Sequence, residues 1–208
     1  QMGRTSRPVS HTVKAVCSTD FWGSKKSLSI IRIGCWNVRS LNITRKLENL
    51  KKEMERLKMD IVGISEVKWK VDNDFWTGGY RVINTGTENG VTGVGFIMNK
   101  KVGRRVKSYD QVNDRIMVTN IATKPKNTTI IQVYMLTSTH DEEEVERVCE
   151  EIEKARKDIK GDGNLIVVGD FNAIVGEEEE GKTVGNYGLG KRNERGDRLI
   201  ELFTKNKL

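Results

Sequence analysis

Five residues of this 208-residue chain have types and settings suited to phosphate-ester chemistry: Asn37, Glu66, Tyr134, Asp170 and Asn172. Each stands at or just past the end of an apolar, β-branched run, and together they offer two carboxylates, two amides and a phenol. Mg2+ takes hard oxygens of this kind, usually one or two carboxylates completed by water and a phosphate oxygen, and Mn2+ can substitute for it. A cation held there polarises a phosphoryl oxygen and stabilises the charge that develops in displacement, while amides and a phenol donate to the same phosphate. Each residue also has an ordinary structural alternative. Glu66 reads equally as a solvated strand end, Asp170 and Asn172 as an Asx turn, Tyr134 as a core tyrosine with a satisfied hydroxyl, and Asn37 as a loop residue.

The elements that must position these residues follow from hydrophobic periodicity. Ser29 to Cys35 reads as a strand. A helix follows, with Asn42 or Thr44 as its cap and Leu47, Leu50, Met54 and Leu57 on one face. Ile61 to Ser65 is a wholly apolar strand, expected to be buried on both sides, that ends at Glu66. Tyr80–Asn84, Val94–Met98 and Arg115–Ile121 read as strands, with Gly86, Gly90 and Gly93 punctuating the first connection and Lys124-Pro-Lys-Asn forming a turn. The opening arrangement then returns. Thr129–Tyr134 is a strand, and Asp141 starts a helix with Val145, Val148, Ile152, Ala155 and Ile159 on its apolar face. Gly161-Asp-Gly stops it, and Leu165–Gly169 runs into Asp170. A last helix starts near Asn193, with Leu199, Ile200, Leu202 and Phe203 inward. Strand, helix, apolar strand, acid thus occurs twice. Each unit demands parallel strands joined by a crossover, and ligands gather at the carboxyl ends of such strands. Two units joined by antiparallel strands imply an α/β fold of two packed mixed sheets with helices outside.

The charge balance, 36 Lys and Arg against 29 Asp and Glu for a net +7, favours polyanions and makes DNA a sensible partner. Lys100-Lys-Val-Gly-Arg-Arg reads as a solvated turn, and Gly176 to Gly190, with Glu177 to Glu180, as a surface loop. Cys17, Cys35 and Cys149 are too few and too scattered for a disulfide framework or a cysteine zinc site, which points to a reducing compartment, nucleus or cytoplasm rather than secretion. No apolar run approaches the ~20 residues needed to span a bilayer. Residues 1–29 carry Arg4, Arg7, Lys14, Lys25 and Lys26 with one acid, Asp20, and no periodicity; they are expected to be a disordered basic tail, and 30–208 the domain.

Ile33-Gly-Cys-Trp-Asn-Val-Arg-Ser-Leu, Ile64-Ser-Glu-Val-Lys-Trp, Gln132-Val-Tyr and Gly169-Asp-Phe-Asn-Ala resemble, in order and spacing, four motifs of the endonuclease/exonuclease/phosphatase superfamily. Gly188-Leu-Gly-Lys-Arg-Asn-Glu-Arg-Gly-Asp-Arg-Leu-Ile-Glu narrows the resemblance to the endonuclease domains of RTE-type non-LTR retrotransposons and the craniofacial development protein 2-like proteins. The resemblance implies a four-layer α-β-β-α sandwich and a Mg2+-dependent DNA endonuclease. In it Glu66 binds the metal with Asn37 beside it, Tyr134 contacts the scissile phosphate, Asp170 activates water, and Asn172 holds a phosphate oxygen.

Two departures bear on activity. The family's terminal Ser-Asp-His segment is absent, so the domain is expected to be C-terminally incomplete and weakly active or inactive; His140 reads as a surface or capping residue rather than a substitute base. Met135-Leu136 replaces the proline that commonly follows the tyrosine. The alternatives are another phosphodiesterase of the superfamily, acting on lipid or inositol phosphates, and a catalytically dead remnant that binds nucleic acid or a protein partner.

Overall fold

The computed structural model describes residues 17–19, 29–137, 140–177, 181, 183–185 and 187–206. It forms a sandwich of two mixed sheets with helices on both outer faces. One sheet contains β3 (Ile33–Asn37), β4 (Ile61–Ser65), β5 (Asn73–Thr77), β6 (Tyr80–Asn84) and β7 (Val94–Asn99), in the spatial order β3-β4-β7-β6-β5. The other contains β8 (Val106–Gln111), β9 (Ile116–Ile121), β10 (Thr128–Tyr134) and β11 (Asn164–Asp170), in the order β11-β10-β9-β8. The crossovers are α1 (Lys46–Arg56) between β3 and β4 and α3 (Glu142–Asp158) between β10 and β11; α2 (Lys100–Gly103) is a single turn after β7, and α4 (Glu194–Asn206) is the last helix described. Both crossover pairs, β3 with β4 and β10 with β11, are parallel as expected.

Alternation along the strands builds three apolar layers. Ile33, Ile61, Ile83, Phe96, Met98, Met117, Ile130 and Val168 meet between the sheets. Val62, Ile64, Val82 and Ile97 face the other way and pack on Leu50 and Met54 of α1. Ile116, Ile131 and Val133 pack on Val145, Val148, Ile152 and Ala155 of α3 and Leu202 of α4. Every residue of β4 and of β10 is buried, including Ser65, Thr128, Thr129 and Gln132, so both are central strands covered on both faces. The sheets approach tightly at Gly63, where a Cβ would stand 1.8 Å from Oε1 of the buried Gln132.

Several boundaries differ from the sequence expectation. Ser29 to Cys35 is not one strand: β2 (Ser29–Ile31) pairs with β1 (Cys17–Thr19), and the chain re-enters the main sheet as β3 after Arg32. Of the basic segment 1–29, all but these paired residues lies outside the described residues. Helix α1 is capped by neither Asn42 nor Thr44. Arg45 takes the N-cap position in a left-handed conformation without a side-chain cap, and Asn42, three residues earlier, donates its Nδ2 to the Lys68 carbonyl at 2.6 Å. Leu57 is 39% exposed rather than on the buried face, since it is already the C-cap residue. Strands β5 and β8 had no counterpart in the sequence reading; both are sheet edges with exposed polar positions, where no apolar run is needed. Helix α3 begins as expected, with Asp141 accepting from the Glu144 N–H at 2.8 Å. Residues 178–180, 182 and 186 of the glycine-rich loop lie outside the described residues.

Candidate active site

The two crossover units end side by side in register. Asn37 pairs with Ser65, the residue before Glu66, and Tyr134 pairs with Asp170. Strand direction therefore delivers Asn37, Glu66, Tyr134 and Asp170 to one end of the sandwich. The backbone beyond these ends turns sharply: Arg39, Ser40, Glu66, Lys68 and Asn172 all have positive φ, which for non-glycine residues is held only where tertiary contacts over-determine it.

The five sequence-predicted residues form one hydrogen-bonded cluster. Asn37 Nδ2 donates to Glu66 Oε1 at 2.7 Å and to Asp170 Oδ2 at 2.9 Å. Its Oδ1 accepts from the Arg39 N–H at 3.1 Å, which fixes the amide so that its nitrogen faces the carboxylates. The Tyr134 hydroxyl donates to Glu66 Oε1 at 3.1 Å. Asp170 Oδ1 accepts from the Asn172 N–H at 3.2 Å, the Asx-turn contact, and Asn172 Nδ2 donates to the Met135 carbonyl at 2.8 Å. Asn172 thus braces the loop after Tyr134 and commits one of its two N–H groups there.

Two cations escaped the sequence reading. Lys68 Nζ lies 3.1 Å from Glu66 Oε2. Arg115 lies over the Tyr134 ring at 5.1 Å and donates to the Tyr134 carbonyl at 3.4 Å. Lys68 sits in the quoted glutamate motif, two residues past Glu66, but only the turn at Glu66 brings its side chain back. Arg115 had no signal beyond opening a strand.

These contacts set the protonation of the cluster. Burial opposes ionisation of Glu66, but hydrogen bonds from Asn37, Lys68 and Tyr134 and the Lys68 charge outweigh it and hold the carboxyl below its ordinary range. Burial first, and then the Glu66 charge, push the Tyr134 phenol up to about 12, so it stays a donor at any working pH. Among the described residues no three His, Cys, Asp or Glu side chains cluster as a full protein ligand set. Two carboxylates at one strand-end locus fit a divalent cation that completes its shell with water and substrate oxygens, as Mg2+ does.

The model of the Endonuclease/Exonuclease/phosphatase family matches residues 34–191. The chain belongs to that family. Within it the chain is 38% identical over 177 residues to craniofacial development protein 2 of Bos taurus, covering 85% of this chain and 30% of that protein's length. It is 37% identical over 177 residues to the Tragulus javanicus protein of the same name, covering 85% of this chain and 31% of that one. The endonuclease domain of TRAS1, a telomere-specific non-LTR retrotransposon, has the same fold, with a TM-score of 0.58 at 21% identity over 84% of this chain and 70% of that one. So does the AP endonuclease LMAP of Leishmania major, with a TM-score of 0.58 at 14% identity over 82% and 65%. The four-layer sandwich of the endonuclease/exonuclease/phosphatase family is thus the fold of this chain, and its solved neighbours include nucleases. Nucleases of the family generally use divalent metals. No helix among the described residues is long and apolar enough to cross a membrane.

Proposed function

We propose that the cluster hydrolyses phosphodiester bonds of DNA with a bound Mg2+, for which Mn2+ can substitute, within a domain formed by residues 30–208. The observation that carries this reading is the single amide of Asn37, which holds Glu66 and Asp170 of two separate crossover units at 2.7 and 2.9 Å. Ionised Glu66 binds the cation, with Asn37 fixing it against Asp170. The metal, when bound, supplies Lewis-acid polarisation of the phosphoryl oxygen. Asp170 orients and accepts a proton from the attacking water. Tyr134, protonated throughout, donates toward the scissile phosphate, and Asn172 fixes the turn that aims Asp170. The net charge of +7 supports a polyanionic substrate.

The histidines of this sequence are His11 and His140, and His140 Nδ1 shares a hydrogen bond of 3.1 Å with Thr137 Oγ1. Among the described residues no imidazole is hydrogen-bonded to the cluster, and without one for proton transfer nicking should be slow, by ~10²–10⁴ relative to a site with a positioned acid–base group. Nicking of supercoiled plasmid with Mg2+ tests the proposal. Slow, chelator-sensitive nicking that Glu66→Ala and Asp170→Ala both abolish is expected. Nicking indifferent to both substitutions, or none at high protein concentration, would overturn it.

A further inference from the structure

The far end of the sandwich carries a second surface with its own chemistry. β7 begins at Val94, which pairs with Ser65 beside the carboxylate cluster, and runs away from it to Asn99, which pairs with Tyr80. That run of five steps is roughly 17 Å at about 3.3 Å per residue. α2 starts there and exposes Lys100, Lys101 and Arg104 within five residues. Among the described residues no ion pair is recorded for any of the three.

This basic turn is joined to an aromatic strip. A Cβ on Gly103 of α2 would lie 3.0 Å from the outer ring of Trp76, so the indole packs against the turn. Trp76 pairs with Arg81, which donates to the Gly103 carbonyl at 3.0 Å and grips Asp74 through two bonds of 2.8 and 2.7 Å. The same guanidinium lies 6.0 Å from the ring centre of Tyr109 on β8. Arg81 thus commits three of its five N–H groups and neutralises Asp74, and it stands beside both rings. Trp76 remains 48% exposed and Tyr109 37% exposed, on the edge strands of opposite sheets. Large aromatics on an edge are a poor choice for solubility, where lysine or proline would serve.

We propose that Trp76 and Tyr109, with Lys100, Lys101 and Arg104, form a docking strip for single-stranded nucleic acid, separate from the carboxylate cluster. Exposed rings stack on bases of any sequence, and adjacent cations neutralise the phosphates between them. An acidic polypeptide would use the cations but gain little from the rings.

The test is fluorescence anisotropy of a labelled 20-nucleotide oligothymidine with the full chain in chelator, which removes any metal-dependent contribution. Trp76→Ala should weaken binding about tenfold with an unchanged salt slope, and Trp76→Phe should restore it. Lys100→Gln/Lys101→Gln/Arg104→Gln should weaken binding and lower the slope of log affinity against log salt by about 2, at about 0.7 per phosphate contact. The losses caused by the Trp76 and basic-turn substitutions should be the same in a Glu66→Ala background, so failure of the nuclease reading leaves this result intact. Unaltered affinity in the triple variant, whose substitutions are all on exposed positions, would overturn the proposal even if Trp76→Ala failed to fold. Equal, tryptophan-independent binding of polyglutamate would overturn it in favour of an acidic protein partner.

Discussion

The two crossover units have the same topology but hold their acids differently. The β3-α1-β4 unit places Glu66 one residue past the strand at a φ of 54°, where Asn37, Lys68 and Tyr134 all contact it. The β10-α3-β11 unit places Asp170 inside its strand, opposite Tyr134, and holds it through Asn37 and the Asn172 N–H. The helices differ in parallel: α3 has a side-chain cap and an acidic first turn, whereas α1 starts at a left-handed arginine with no side-chain cap. Glu66 thus gathers three side-chain partners, whereas Asp170 is held by one amide of the other unit and by the N–H of its own turn. The division of labour proposed above, Glu66 as metal ligand and Asp170 as water-orienting base, matches this difference: three donors favour the Glu66 carboxylate, and the turn at Asn172 fixes Asp170.

The largest expected effect lies at the acids themselves. Removing either should cut plasmid nicking by at least ~10²-fold, the loss typical of a positioned proton-transfer group. If Glu66→Ala abolishes Mg2+ binding in calorimetry while Asp170→Ala leaves measurable binding, the division of labour stands; equal losses would erase it.

Next is the point where the sheets carrying the two units touch. Gly63→Ala drives a methyl into the Gln132 side chain and should lower stability by about 1–3 kcal/mol in urea unfolding. Pairing it with Gln132→Ala should recover part of that loss. An additive double variant would mean that the approach at Gly63 is not what limits the packing.

A smaller effect separates the helices. Asp141→Ala removes the α3 cap and should cost about 1 kcal/mol, whereas Arg45→Ala should change stability by less than about 0.5 kcal/mol. Equal costs would show that α1 depends on its first residue as α3 does.

The smallest effect is in pH. Because the folded protein holds Glu66 below its unfolded value of about 4.3, its ionisation adds stability that is fully present above that pH and is lost as pH falls through the lower folded value. The urea midpoint of the wild type minus that of Glu66→Gln should therefore be flat from pH 7 to about 5 and shrink below about 4. A difference that grows on acidification would contradict the hydrogen-bonded carboxylate.

How much was legible beforehand varied with the physics of each element. β4, β10 and α3 were readable because apolar runs and periodic faces report burial directly. β5 and β8 were not, since an edge strand such as Val106–Gln111 can be mostly polar and still pair. That Asn37, Glu66, Tyr134, Asp170 and Asn172 come together was legible from their type and their place at strand ends. Lys68 and Arg115 were not, because their relation to Glu66 and Tyr134 depends on side-chain direction after a turn and on the register of β9 against β10.

The sequence by itself determined the two repeated units, the acids at their ends and the polyanion-seeking charge balance, because periodicity and residue type are local properties. Only the tertiary structure decided that one amide bridges both acids, that this amide, a lysine and a tyrosine lower the Glu66 pKa against its burial, and that Trp76 and Tyr109 stand beside one arginine at the far pole. Those facts depend on distances between segments far apart in the chain, and such distances are set by strand register and by the packing of the two sheets.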